Sequence, residues 1–151
     1  MRPAHALAAC LLLSCSSDPE PDPKADESSD ATSVRQTIGP EGGSITVQGA
    51  TMTFPEGALA ETTDITISAS NAAPLDDFVV LSKVFLCQPS GIQLAQPVTL
   101  EIPFTDDGQP SSVWWSSSTG PTFEDLGGER RGEKMTARVM HMSAGFVGRR
   151  K

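Results

Sequence analysis

The sequence predicts an all-β fold, an antiparallel β-sandwich of about ten short strands over residues 34–148, preceded by a disordered N-terminal tether. Three observations predict it. No stretch after Val34 keeps an apolar i, i+3, i+4, i+7 pattern for three turns, as an amphipathic helix would. In the runs ITV, MTF, ITI and VTLEI, apolar residues alternate with Thr or Glu, the pattern of strands with one wet face. Turn-forming clusters punctuate the chain: Gly39-Pro40, Gly42-Gly43, Pro55-Glu56-Gly57, Pro89-Ser90-Gly91, Asp106-Asp107-Gly108 and Gly127-Gly128. Many short strands between regular turns in about 115 residues describe a sandwich.

The chain opens differently. Residues 6–13 form an apolar run of eight. As a helix it would span about 12 Å, far short of the ~30 Å hydrocarbon core of a bilayer. It has the dimensions of a signal-peptide core, with Arg2 as the positive leader, so residues 1–14 are expected to be a signal peptide. The tetrapeptide Leu12-Leu13-Ser14-Cys15 resembles the lipobox of bacterial lipoproteins. That resemblance implies cleavage before Cys15, diacylglycerol and fatty acyl (palmitate) modification of Cys15, and a lipid anchor in the cell envelope. Several acyl chains hold a protein stably at a membrane where one does not. Ser16 rather than Asp after the cysteine implies the outer membrane by the same resemblance.

Residues 16–33 read as a tether. They carry six acidic residues against one lysine, with three prolines, five serines and no large apolar side chain. Such a segment buries too little apolar surface to offset its ordering entropy. Its reach is about 25 Å as a coil and about 55 Å extended. Its negative charge keeps the domain away from an anionic membrane surface.

Residues 34–148 hold six basic and thirteen acidic side chains, a net charge of −7. Nucleic-acid binding needs the opposite, a basic footprint. The basic cluster Arg149-Arg150-Lys151 is expected to be a frayed, solvated tail. Cys10 leaves with the signal and Cys15 is lipidated, so Cys87 stands alone and no intrachain disulfide is expected. In an apolar strand a lone cysteine serves as a small core hydrophobe. With His5 removed, His141 is the single histidine, and Cys/His zinc spacing is absent, so no metal and no cofactor are expected. No Gly-rich phosphate loop occurs either.

The expected strands are 34–38, 44–47, 51–54, 64–69, 83–88, 98–102, 112–116, 122–126, 134–140 and 145–147, with room for a helical turn at 58–60. In strand 83–88, Phe85 and Cys87 share one face, and Val84 and Leu86 the other. Both faces are apolar, which suits a central strand. The run Gly42-Gly43-Ser44-Ile45-Thr46-Val47, followed by Met52-Thr53-Phe54-Pro55-Glu56-Gly57-Ala58-Leu59, resembles the opening of a ZU-five-type domain. Val84 to Gly91, Pro97-Val98-Thr99-Leu100 and His141-Met142-Ser143 match later motifs of that family in order, so the resemblance spans roughly residues 38–148. It implies a β-sandwich used for protein–protein contact and not an enzyme.

Three candidate sites deserve naming. Some members of that family cleave themselves at His-Phe-Ser; carried over, Ser143 would be the nucleophile, His141 the base, and Met142–Ser143 the scissile bond. Here Met142 stands where the family has Phe, and many relatives use the motif only structurally. Trp114 and Trp115 point to opposite faces of one strand. Trp115, sharing a face with Val113, belongs to the core; Trp114, beside Ser112 and Ser116, is either an exposed anchor for a sugar or partner, or covered by loop 116–121. The acidic pairs Asp76-Asp77 and Asp106-Asp107 lack calcium-loop spacing and read as solvated turns, and no nucleophile-elbow G-x-S-x-G occurs. The expectation is a non-enzymatic, lipid-anchored envelope protein whose sandwich contacts an envelope or extracellular protein. Self-cleavage at Met142–Ser143 and carbohydrate binding through Trp114 are the alternatives.

Overall fold

The computed structural model describes residues 32–72 and 74–151; the expected signal, Cys15 and all but the last two residues of the expected tether lie outside the described residues. Twelve strands are formed among the described residues: β1 (Ser33–Ile38), β2 (Gly43–Val47), β3 (Ala50–Phe54), β4 (Thr63–Ser70), β5 (Phe78–Val80), β6 (Val84–Gln88), β7 (Gln93–Pro103), β8 (Ser112–Ser116), β9 (Phe123–Asp125), β10 (Glu129–Arg131), β11 (Lys134–His141) and β12 (Ala144–Arg150). They build two sheets. The larger runs β1-β4-β6-β12-β8-β9, with β5 alongside the far end of β12; the smaller runs β10-β11-β7-β3-β2. Every pairing between these strands is antiparallel. The chain is thus an all-β antiparallel sandwich.

Alternation in the sequence becomes the inner face of each sheet. Ile45, Val47, Met52, Phe54, Val98, Leu100 and Ile102 point inward from the small sheet. Ile65, Ile67, Phe85, Cys87, Val113, Trp115 and Val147 meet them from the large one. Strand β6 is central, flanked by β4 and β12. Its second face is only half covered, and Leu86 is 41% exposed.

Two turn motifs act as expected. Gly57 has φ of 79°, and its N–H donates to Pro40 O at 2.7 Å. Gly42 has φ of 85°, and a Cβ there would lie 2.4 Å from Phe54 O. Only glycine suits a position with that backbone conformation and that close an approach. The peptide bond Gln88–Pro89 is cis.

The structure departs from the sequence reading at four places. Residues 58–60 form no helical turn: Ala58 N–H closes a turn on Pro55 O, and Ala58 and Leu59 plug the core. Strand β5 was not anticipated, because Phe78–Val80 is three residues long and apolar on both faces. Neither was β10, whose residues Glu129-Arg130-Arg131 are all exposed and carry no apolar period. Finally, Arg149 and Arg150 are not a frayed tail. They complete β12, opposite Val79 and Phe78 of β5, and Lys151 N–H donates to Asp77 O at 3.0 Å.

Candidate functional site

The segment His141-Met142-Ser143 carries the chain from β11 in the small sheet to β12 in the large one. Its backbone is tied down at several points. Met142 N–H donates to Ile92 O at 2.9 Å, Met142 O accepts from Gly91 N–H at 2.8 Å, and Ser143 O accepts from Cys87 N–H at 2.8 Å. The His141 carbonyl accepts from Trp115 Nε1–H at 3.2 Å. The imidazole Nε2 bonds Ser116 O at 2.9 Å, and because a carbonyl only accepts, Nε2 carries the proton. Met142 is completely buried and Ser143 nearly so. Among the described residues no hydrogen bond joins the His141 ring to the Ser143 hydroxyl. The arrangement therefore clamps a corner where the chain changes sheets. It does not assemble the nucleophile–base contact that cleavage would use.

Trp115 lies in the core, as its register with Val113 demands. Trp114 is not an exposed ligand platform: it is 8% exposed. It belongs to a second apolar cluster with Phe78 and Phe146, flanked by Val80, Val84 and Phe123. The Phe78 and Trp114 rings meet edge-on at 4.9 Å, and Trp114 Nε1–H donates to Gly148 O at 3.1 Å. The Arg150 guanidinium lies 5.3 Å from the Trp114 ring and 5.5 Å from the Phe78 ring. The cover comes from β5 and the end of β12, not from loop 116–121. Phe78 and Arg150 thus cover Trp114, and it is not the exposed ring that the carbohydrate alternative was built on.

The acidic pair Asp106-Asp107 is a stitched loop. Asp106 pairs with Arg130 of β10, and Asp107 with Arg149 of β12 at 2.5 Å. The Gly108 N–H and then Arg130 hold the Asp106 carboxyl below its usual range; Arg149 does the same for Asp107. Asp64 is lowered by the Thr37 hydroxyl first and Arg35 next. Among the described residues no three metal-ligating side chains converge. Burial pushes the Cys87 thiol up to about 12, leaving it protonated and inert at neutral pH.

One feature escaped the sequence reading. At the end of the sandwich where β3, β6, β7 and β10 terminate or turn, a cleft of about 640 Å³ opens between the sheets. Leu81, Pro103 and Phe104 form its apolar side, with Lys83 and Arg130 at its rim. Lys83 shares the inward parity of Phe85 and Cys87, two and four residues on. A lysine at the inward parity of an apolar strand, at its very start, was the signal that could have found it.

The matching family fits this architecture. The chain matches the ZU5 domain over residues 34–116, more than half its length, and belongs to that family. ZU5 domains are protein-interaction modules. The match spans β1 to β8, yet both sheets are completed beyond it: β12 separates β6 from β8, and β11 separates β10 from β7. No curated protein matches the chain.

Proposed function

We propose that this chain is a non-enzymatic, lipid-anchored protein of the bacterial cell envelope, whose ZU5 sandwich binds another protein. The observation that carries the reading is the ZU5 match on a complete two-sheet sandwich. The anchor is supported by an eight-residue apolar run ending at Leu12-Leu13-Ser14-Cys15 and by the acidic, Pro-rich residues that follow. Ser16, rather than an aspartate, directly after Cys15 supports the outer membrane as its address.

Two experiments test this. Cys15→Ala should move the protein from the membrane to the soluble fraction; unchanged membrane retention would refute the anchor. Affinity capture from envelope fractions should recover a reproducible protein partner, and retention of glycan alone would refute the interaction role. In this reading the His141–Ser143 corner is structural. Intact-mass analysis should show one species ending at Lys151, whereas a nine-residue fragment 143–151 would replace it with self-cleavage.

A further inference from the structure

We propose that the cleft at Lys83 is the site where this domain takes its partner, and that it binds an extended segment presenting a carboxylate next to a large apolar side chain. The inference rests on the interaction reading above and gives it an address.

The argument starts from Lys83. Lys83 immediately precedes β6 and shares the parity of its inward residues Phe85 and Cys87, a position that would aim a lysine toward the core. Instead the side chain crosses the open end of the sandwich, and Nζ donates to Gln48 Oε1 at 2.7 Å, in the turn joining β2 and β3 of the opposite sheet. An ammonium has three donors. Gln48 takes one, and among the described residues no carboxylate comes within ion-pair distance of Lys83. Two acids line the same cleft: Asp106 is already committed to Arg130 and to Gly108 N–H, and Glu133 forms no ion pair with Lys83. A half-buried cation is thus left with spare donors beside apolar walls.

Those walls define the other half of the ligand. Leu81, Pro103 and Phe104 are each half-buried, and Arg130 stacks over the Phe104 ring at 5.8 Å from its centroid. About 640 Å³ lies within the ordinary range of ligand pockets, roughly 300–1,000 Å³. That volume accommodates one aromatic or large aliphatic side chain together with the carboxylate beside it. The carboxylate would accept a charge-assisted hydrogen bond from Lys83, the stronger kind in a partly dry site.

The chain's own acidic residues 16–31 supply carboxylates but no large apolar side chain, so they satisfy Lys83 and leave the walls bare. A segment of a second protein carrying both groups satisfies the whole cleft.

The test is a titration of the full chain, followed residue by residue by amide NMR, with an acetylated and amidated hexapeptide containing a central Asp-Phe pair. Shifts should concentrate at Gln48, Lys83, Phe85 and Phe104. Replacing the peptide Asp by Asn, or its Phe by Ala, should each weaken binding at least fivefold. In the Lys83→Met chain the Asp and Asn peptides should differ less than twofold. Equal binding of the Asp and Asn peptides to the wild-type chain overturns the proposal, whether or not Lys83→Met folds. So do shifts confined to another surface. Movement of the Lys83 resonances on replacing Asp26, Glu27 and Asp30 by their amides, with no peptide added, would give the cleft to the chain's own tether and overturn it too. A captured envelope protein that binds wild-type and Lys83→Met chains equally would overturn this site while leaving the interaction role standing.

Discussion

Gly145 is a position where one methyl group should be costly through packing alone, with no positive φ involved. It lies in β12, with Phe85 of β6 on one side and Trp115 of β8 on the other. A Cβ added there would sit 2.3 Å from Trp115 Cε3 and 2.6 Å from Trp114 O. Ordinary contact begins near 3.4 Å, so the substituent would intrude by about 1 Å on a ring and on a backbone carbonyl at once. The ring is fixed in the core and the carbonyl is fixed by sheet pairing, so neither yields cheaply. Overpacking of this kind costs about 1–3 kcal/mol, and a clash with backbone belongs at the upper end. For about 120 ordered residues the unfolding entropy is about 0.25 kcal/mol/K, so a loss of about 3 kcal/mol lowers Tm by about 12 °C. Gly57→Ala is the control: φ is 79° there, but nothing lies within 4 Å of a new Cβ. Only the left-handed backbone is penalised, by about 1–2 kcal/mol, or about 4–8 °C. Thermal unfolding followed by tryptophan fluorescence reads both. A Gly145→Ala chain melting within about 2 °C of wild type, or one less affected than Gly57→Ala, would refute the packing argument.

Deleting residues 149–151 should remove two of the three residue pairs between β12 and β5 and uncover Trp114. The lost backbone hydrogen bonds alone are worth about 1–2 kcal/mol, and acrylamide quenching of tryptophan should rise; a frayed tail would change neither. Acid stability should depend on the Asp106–Arg130 and Asp107–Arg149 pairs. Their carboxyls are held below the ordinary 3.8, so their stabilisation is complete above that pH and is lost as pH falls through the folded values. Asp106→Asn should therefore be less stable than wild type at pH 7, and the gap should close below about pH 4; a gap that persists at pH 2 in urea titrations contradicts this. Cys87 should resist thiol reagents in the native state and react only at the rate of global opening, because it is fully buried and protonated. Fast labelling in native buffer would show that β6 opens locally.

Strand-by-strand, the fold was legible because burial on one face forces a period of two on the sequence. The alternations around Ile45, Met52, Ile65 and Leu100 give the strands their inward sides directly. Short turns with Gly or Pro at fixed places give their ends. Segments that pair without an apolar face left no such trace, as in the all-exposed Glu129–Arg131. The corner His141-Met142-Ser143 was legible as a motif, but its role was not: clamping depends on Ser116, Ile92, Gly91 and Cys87, none of them adjacent in sequence.

The sequence by itself determined the class of fold, most of the strands, the inward side of Phe85, Cys87 and Trp115, and membership signals of the ZU5 family. It could do so because backbone geometry and one-sided burial act over two to ten residues. Only the tertiary structure decided what covers Trp114, what Arg149 and Arg150 do, and where Lys83 goes. Phe78 reaches Trp114 across 36 residues and Arg150 reaches it across another 36, while Lys83 meets Gln48 from 35 residues away. Contacts of that range follow from strand order, which no local pattern encodes, and the cleft between the two sheets exists only once that order is set.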